Sequence, residues 1–534
     1  MSQDSPAPRH LLDRLAPFLL LAVAILGAAL RLYDIGGKGM WIDEAFSVWM
    51  GWQPLGEMLR WLVKIDQHPP LYYTLLHFWL NLGDQAALAR AFSAIIGILT
   101  IPVVYLLGYR LSGRNMALLA AIILAISPFH IRFAQETRMY TLLALNASLA
   151  LLSLVYLLTD YRAAAVPIGG QVNQLWRETR RAAGQRPALI QAIGADLAWL
   201  GYILFTLATL LTHNTAVFFP LATNLFVFGL IFLRRRRPGG ANSLRPPELK
   251  NWLMAQAAVF LLWSPWLVSF VIQSSGVYKE FWISQPTVAA VFWTLKNFLS
   301  PLLPGQVTWG NLIWWLYGLV VGLGIWQLRQ QPGRLLLLLT LFLTPVMGEL
   351  LVSIRRPIFY DRTLIWATIP LYLLMAAGIN QLRYRPYILV AVMMLATINF
   401  ISLREYYFKF EKEQWDDAAY YVAQHAKDGD LILFNATWSQ IPFDYYFRHF
   451  NRPATEHGLP VDMFAGGVLE PKMTLADLPR MWSLVHQHDR IWLVYSHDWY
   501  TDPTKIIPTE LAQELELFDR QRFQGLELHL YVKP

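Results

Sequence analysis

The chain has 534 residues, of which 55% are hydrophobic and 15% charged, whereas soluble proteins average about 25% charged residues. This composition excludes an ordinary soluble protein. The formal net charge of +8 does not indicate nucleic-acid binding, because most basic residues lie in short segments between apolar runs. The sequence contains no cysteine, which excludes disulfides, thiolate metal sites and cysteine nucleophiles.

Apolar runs long enough to cross a bilayer recur from the N-terminus to about residue 402. They predict an α-helical polytopic membrane protein with about eleven transmembrane helices. The predicted spans are residues 14–33, 86–108, 115–129, 140–158, 195–211, 214–233, 251–272, 309–328, 335–353, 363–380 and 386–402.

The distribution of basic residues predicts the orientation. With the N-terminus in the cytoplasm, basic groups such as residues 234–237 fall in cytoplasmic loops, in agreement with the positive-inside rule. An odd number of spans then places everything after about residue 403 outside. We therefore expect an integral protein of a bacterial plasma membrane, with its C-terminal region extracytoplasmic.

Two regions outside the spans have a distinct character. Residues 34–85 form the first extracytoplasmic loop, and the apolar spacing in residues 54–65 predicts a helix lying in the membrane interface. Short apolar runs at residues 431–434, 491–495 and 526–532 predict strands of an extracytoplasmic α/β domain. The expected division is therefore a transmembrane catalytic domain at residues 1–402 and an α/β domain at residues 403–534.

Asp43 and Glu44 stand side by side in the first loop, within Met40-Trp41-Ile42-Asp43-Glu44-Ala45-Phe46. A carboxylate at a partly dry interface can act as a general base on a hydroxyl group. The alternative is a solvated loop that ends the first helix. His68 precedes two prolines that restrict the backbone, a pattern more typical of a structural helix start than of a catalytic or ligand histidine.

Further polar residues flank spans on the same predicted side of the membrane. Glu136 and Arg138 precede the fourth span, and an arginine there either grips a phosphate or reaches lipid headgroups. Arg356 and Arg362 precede the tenth span, on the side where the positive-inside rule disfavours arginine, which favours an anion site. His213 and Asn214 lie between two spans, where they could bind a sugar or form a packed polar turn.

The order of these motifs resembles that of the polytopic GT-C glycosyltransferases. The likeness rests on Asp43-Glu44, on His68-Pro69-Pro70-Leu71, on Glu136-x-Arg138-x-Tyr140, and on Arg362 before a proline-containing helix. The chain is most similar to the protein O-mannosyltransferase and aminoarabinose-lipid A transferase family, which is glycosyltransferase family 39-like. It departs from many relatives at Thr363, where they carry tyrosine.

The resemblance implies inverting transfer of a sugar from a polyprenyl-phosphate-linked donor to a hydroxyl acceptor outside the cytoplasm. The acceptor is a protein, a lipid or a glycan. Asp43 would be the base, Glu44 would support it, and Arg138, Arg362 and Arg356 would hold the donor phosphate. The cavity would be lined by His68, Glu136, Tyr140, His213 and Asn214. Asp43, Glu44 and His68 also offer ligands for a divalent cation, although their spacing does not require one.

A secondary transporter or flippase for a lipid-linked or anionic substrate is the alternative. It would also place charges near helix ends, but it should show internal repeats and sites near the membrane midplane. The sequence shows no such repeat, and the charged residues lie near one surface.

Overall fold

A computed structural model describes residues 7–66, 68–159, 186–236, 244–276, 283, 285–305, 311–463, 465 and 471–534. The chain forms two compact units. Unit 1 comprises Met1–Tyr33, His68–Tyr72 and Ala91–Lys409, and unit 2 comprises Asp34–Gln67, Tyr73–Arg90 and Phe410–Pro534.

Helices α1–α16 account for most of the chain before residue 409. They are α1 (Ala7–Leu32), α2 (Ile42–Trp52), α3 (Leu55–Lys64), α4 (Leu71–Trp79), α5 (Ala86–Ser112), α6 (Arg114–Ala125), α7 (Pro128–Ala134), α8 (Tyr140–Thr159), α9 (Arg186–Leu210), α10 (Phe218–Arg236), α11 (Leu249–Gly276), α12 (Val288–Leu299), α13 (Leu312–Leu328), α14 (Pro332–Ser353), α15 (Thr368–Asn380) and α16 (Arg385–Phe408). Two 3-10 helices, Asn214–Val217 and Asp361–Ala367, lead into α10 and α15.

The polytopic helical fold predicted from the sequence is confirmed. Among the described residues, eight helices are long and apolar enough to cross a membrane, or nine if the bent pair α6 and α7 counts as one span. Shorter apolar helices at Asp196–Leu210 and Leu312–Leu328 correspond to two further predicted spans. The sequence did not predict α12, which is also apolar and short, so the number of spans stays a prediction.

The bend between α6 and α7 has a local cause. The two helices differ in direction by 56°, and Ser127 caps α7 by accepting a hydrogen bond from the His130 amide at 3.3 Å. The backbone carbonyls that the break exposes find a donor in the buried Arg31 of α1. Its guanidinium donates to Ala125 O at 3.0 Å and to Leu124 O at 3.1 Å. Arg31, in the last turn of α1, thus satisfies carbonyl groups at the C-terminal end of α6.

Unit 2 contains a five-stranded sheet in the order β2-β1-β3-β5-β4. The strands are β1 (Leu431–Phe434), β2 (Thr455–Gly458), β3 (Arg490–Ser496), β4 (Glu516–Phe523) and β5 (Leu526–Val532). β1 pairs in parallel with β2 and β3, whereas β5 pairs antiparallel with β3 and β4.

Helices cover both faces of this sheet. The apolar residues of α17 (Trp415–His425) and α18 (Gln440–Phe447) pack on one face. The other face is covered by α19 (Leu478–Val485) and α21 (Ile506–Glu514), while the short α20 (Asp498–Thr501) follows β3. The predicted α/β character of the C-terminal region is therefore confirmed.

The first loop belongs to the same compact unit as this sheet. The amide of Met40 donates to the Tyr446 hydroxyl at 2.7 Å, and the amide of Ile42 donates to Glu413 Oε2 at 3.1 Å. At the end of the loop, Arg448 pairs with Asp84 at 2.9 Å. The domain boundaries inferred from sequence stay a prediction, but the compact unit with the sheet also includes most of residues 34–90.

Candidate active site

In unit 1, two arginines that are distant in sequence meet at one aromatic ring. The Cζ atom of Arg138 lies 6.0 Å from the centre of the Tyr140 ring, and that of Arg362 lies 5.6 Å from it. Tyr140 is the first residue of α8, and it is buried. The rings of Tyr140 and His213 are 6.3 Å apart. We call Arg138, Tyr140, His213 and Arg362 the arginine cluster.

Backbone contacts hold Arg138 in place before α8. Its amide donates to Glu136 O at 2.8 Å, and its carbonyl accepts from the Ser93 hydroxyl at 3.1 Å. Ser93 in turn shares a hydrogen bond with the Tyr72 hydroxyl at 3.0 Å. With only 3% of its surface exposed, Arg138 is not a headgroup-binding side chain that projects from a helix end.

The turn with Arg362 is fixed through its neighbour. Asp361 accepts from the Arg362 amide at 2.7 Å and from Asn297 Nδ2 of α12 at 2.8 Å. The guanidinium also lies 4.8 Å from the ring centre of Tyr360. The Arg362 side chain, which extends from this 3-10 helix, therefore lies beside the rings of Tyr140 and Tyr360.

His213 is held as a hydrogen-bond acceptor at its Nδ1 atom. It caps the 3-10 helix Asn214–Val217, because Nδ1 accepts from the Thr215 amide at 3.2 Å. The Thr215 hydroxyl lies 2.9 Å from the same nitrogen. A neutral imidazole that accepts at Nδ1 carries its proton on Nε2.

His68 lies beside His213, with 5.2 Å between the ring centres. The contact follows from a backbone hydrogen bond at 3.0 Å between the Leu71 amide and Leu211 O, which brings the start of α4 to the end of α9. The two prolines before Leu71 restrict the backbone that carries His68.

The electrostatics of the cluster are those of a cationic site. Burial lowers the pKa of His213 well below its usual value, and nearby positive charge lowers it further. That charge comes from His68, Arg138 and Arg362. The imidazole is therefore neutral, and the groups around it favour an anion.

The remaining predicted residues of unit 1 are held by other helices. Glu136 is buried and lies 3.6 Å from Arg132 Nε. Asn214 donates to Gln273 Oε1 of α11 at 2.9 Å, and Arg356 donates to the carbonyl of Ser274 at the end of the same helix.

Asp43 and Glu44 lie in unit 2, in the first turn of α2 rather than in an irregular loop. Glu44 is fully buried, and both of its oxygens bind cations. Arg90 donates to them at 2.7 and 2.8 Å, and Lys412 Nζ lies 2.7 Å from Oε2. We call Glu44, Arg90 and Lys412 the carboxylate cluster.

In the carboxylate cluster, every hydrogen-bond donor of the Arg90 guanidinium is used within the protein. Besides Glu44, Arg90 donates to the carbonyls of Ile35 and Lys38 at 3.0 and 2.8 Å and to that of Gly39 at 2.9 Å. These contacts use all five guanidinium N–H groups. Although burial raises the pKa of Glu44, the two cations dominate and lower it to about 2. Asp43, in contrast, is only partly buried.

Comparisons with known proteins agree with this architecture. Residues 67–172 match the family described as dolichyl-phosphate-mannose-protein mannosyltransferase. The apo structure of ArnT from Cupriavidus metallidurans matches with a TM-score of 0.59 and 13% identity, over 96% of this chain and 97% of ArnT. No curated protein sequence gives a significant match.

Two structures with bound lipid phosphates also match. ArnT from Cupriavidus metallidurans bound to undecaprenyl phosphate gives a TM-score of 0.58 and 12% identity, over 96% of this chain and 97% of that one. AglB from Archaeoglobus fulgidus, in complex with an inhibitory peptide and a dolichol-phosphate, gives a TM-score of 0.53 and 10% identity, over 97% of this chain and 74% of AglB. The chain has the GT-C glycosyltransferase fold. The resemblance inferred from the sequence motifs is thereby confirmed.

The part of the chain that the structure describes offers no evident metal site at the predicted ligands. Among the described residues, no group of three or more His, Cys, Asp or Glu side chains is placed to hold a metal ion. Both oxygens of Glu44 are bound by cationic side chains, so this carboxylate does not fit the role of a ligand.

The partners of Glu44 were not predicted from the sequence. Arg90 lies near the start of a predicted span, where a buried charge is costly and indicates a specific role. The position of Arg90 in the sequence could therefore have indicated a buried partner. Nothing local indicated Lys412, because it lies 368 residues from Glu44 along the chain.

Proposed function

We propose that this protein transfers a sugar from a polyprenyl-phosphate-linked donor to a hydroxyl acceptor, with inversion, on the extracytoplasmic side of the membrane. The observation that carries the proposal is the meeting of Arg138 and Arg362 at Tyr140, beside a histidine that is neutral. The family match and the fold, shared with proteins solved with bound lipid phosphates, support the same conclusion.

The arginine cluster fits the phosphate of the donor. A guanidinium presents a planar set of donors that matches two phosphate oxygens. The guanidinium groups of Arg138 and Arg362 approach one ring from separate segments of the chain. The neutral His213 adds a donor at Nε2 without adding charge. Burial strengthens each of these interactions, because little water competes with the ligand. Glu136, Asn214 and Arg356 are proposed to line the rest of the cavity.

Asp43 is the proposed base. The buried ion pairs of Glu44 fix the first turn of α2, and they thereby fix the backbone that carries Asp43. Glu44 itself has a supporting role, since its oxygens are occupied by Arg90 and Lys412. This division explains why two adjacent carboxylates occur in an apolar chain.

The proposed reaction balances without a cofactor. The acceptor oxygen attacks the anomeric carbon from the face opposite the phosphate, and its proton passes to the Asp43 carboxylate. The bond between the anomeric carbon and the phosphate oxygen breaks, and its electron pair leaves with the polyprenyl phosphate. Arg138 and Arg362 stabilise the negative charge that grows on this leaving group.

Mass spectrometry of cells that lack the protein tests this function. We expect a polyprenyl-phosphate sugar to accumulate and one glycoconjugate to disappear, and both changes should be reversed by the wild-type gene but not by Asp43→Asn. An unchanged pool of lipid-linked sugars and glycoconjugates would contradict a transferase.

Reconstituted protein separates transfer from transport. Wild-type protein in vesicles should attach the sugar of an extracted lipid-linked donor fraction to an acceptor. Movement of a labelled lipid-linked sugar across the vesicle membrane without any transfer would instead support the transporter or flippase.

A further inference from the structure

A buried carboxyl that the proposed reaction does not use lies next to the arginine cluster. Glu349 is the only acidic residue of the apolar helix α14, and 1% of its surface is exposed. An acidic residue in a membrane helix is costly, and such residues usually serve a specific role.

The contacts of Glu349 lie on both sides of Arg362 in the chain. The Thr363 hydroxyl lies 2.8 and 2.9 Å from its two oxygens, and the Tyr360 backbone also interacts with the carboxyl. The same hydroxyl lies 2.7 Å from Tyr360 O, which closes the turn. Residues 360 and 363 thus bracket Arg362 and are bound to one side chain.

A second buried residue of α14 holds the preceding segment. Ser353, one helical turn after Glu349, accepts from the amides of Ile358 and Phe359 at 3.0 and 2.9 Å. Helix α14 therefore fixes the backbone from Ile358 to Thr363 at two places four residues apart, which lie on the same helix face.

The same carboxyl reaches the turn that carries His213. The Thr215 side chain interacts with Glu349 and also lies 2.9 Å from His213 Nδ1. Glu349 is therefore placed between the two 3-10 helices that deliver Arg362 and His213 to the site.

We propose that Glu349 is a positioning residue for donor binding: it fixes the Tyr360–Thr363 turn against the His213 turn, so that the Arg362 guanidinium lies at Tyr140. The proposal rests on the proposed function, in which Arg362 binds the donor phosphate. Glu349 acts through Arg362. Many relatives carry tyrosine where this chain has Thr363. The threonine contributes to the positioning of Arg362, because its hydroxyl contacts the Glu349 carboxyl.

The test measures binding of undecaprenyl phosphate to the purified full-length protein in nanodiscs. We expect Glu349→Ala to raise the Kd about tenfold, which corresponds to a loss of about 1.4 kcal/mol of binding free energy. Thr363→Val, which removes the hydroxyl from the other side, should raise the Kd about threefold. Glu349→Gln keeps an acceptor of the same size and should restore most of the binding.

A double-mutant cycle distinguishes positioning from a general loss of stability. In an Arg362→Ala background, Glu349→Ala should change the Kd less than twofold, because the residue through which it acts is already gone. If the two effects add fully, or if Glu349→Ala alone binds like the wild type, the proposal is overturned.

Asn399→Leu is the matched control. Asn399 is buried in the same unit, where it accepts from Ser300 and Tyr317 at 2.6 and 3.1 Å. This variant should lower the melting temperature but leave the Kd within twofold. An equal loss of binding in Asn399→Leu would assign the effect of Glu349 to folding alone. If wild-type protein shows no saturable binding of undecaprenyl phosphate, the proposed function fails as well.

Discussion

The carboxylate cluster and the arginine cluster both bring charged side chains together, but in different ways. In the first, Glu44 meets two cations, and Arg90 uses all five of its N–H groups within the protein. In the second, positive side chains surround an aromatic ring and a histidine whose pKa is lowered by burial and, to a smaller extent, by that charge.

This difference separates a structural charge from a binding charge. A buried ion pair whose hydrogen bonds are satisfied holds a fold together, and removing one partner leaves the other uncompensated. Two guanidinium groups that approach one ring beside a neutral histidine favour a ligand of opposite sign. The predictions below test whether the two clusters respond to mutation in these two ways.

Asp43→Asn should give the largest effect, because it removes the proposed base while leaving the adjacent carboxylate cluster intact. We expect transfer to fall about 100- to 10,000-fold, the usual contribution of general base catalysis, with an unchanged melting temperature. Glu57→Gln is the control, since the pair that Glu57 forms with Arg60 is exposed. Activity of Asp43→Asn within a fewfold of the wild type would remove the base assignment.

Glu44→Gln should lower the free energy of unfolding. It leaves Arg90 and Lys412 buried without their counter-charge, and breaking such a pair costs about 3–5 kcal/mol. The measurement is the thermal unfolding midpoint in detergent. Asp84→Asn, which removes the half-exposed partner of Arg448, should change stability by less than about 1 kcal/mol. Similar midpoints for the two variants would show that the carboxylate cluster is not structural.

Arg138→Ala and Arg362→Ala should weaken donor binding about 10- to 100-fold, because each removes charge-assisted hydrogen bonds to the phosphate. Affinity for the acceptor should change far less. The measurement is the KM for the lipid-linked donor compared with that for the acceptor. Arg404→Ala is the matched control, since the Arg404 side chain is 64% exposed. Donor affinity that is equal in all three variants would contradict the phosphate role.

The smallest effect concerns His213 and pH. Because its pKa is lower in the folded chain than the usual 6.5, folding is favoured above pH 6.5, and this contribution decreases as the pH falls below that value. The wild type should therefore lose thermal stability between pH 6.5 and 5 more steeply than His213→Asn. Equal slopes for the two proteins would show that the site does not lower this pKa.

The sequence predicted some elements well because their signals are local. Apolar length indicated the spans, and the runs Leu431–Phe434 and Leu526–Val532 became β1 and β5 with these bounds. It missed β4, whose residues are mostly polar and exposed, since an edge strand lacks a buried apolar face. It also assigned Asp43 to a loop, although Asp43 lies in the first turn of α2.

The sequence by itself determined the class of the protein and the site residues worth testing. Twenty apolar residues in a row indicate a membrane span, and counting the spans predicts that Arg138, His213 and Arg362 lie on one side of the membrane. Only the tertiary structure decided what each charge does. Glu44 meets Arg90 and Lys412 across 46 and 368 residues of chain, and Glu349 meets Thr363 from a neighbouring helix. These pairings depend on packing in three dimensions, so no local pattern in the chain could have shown them.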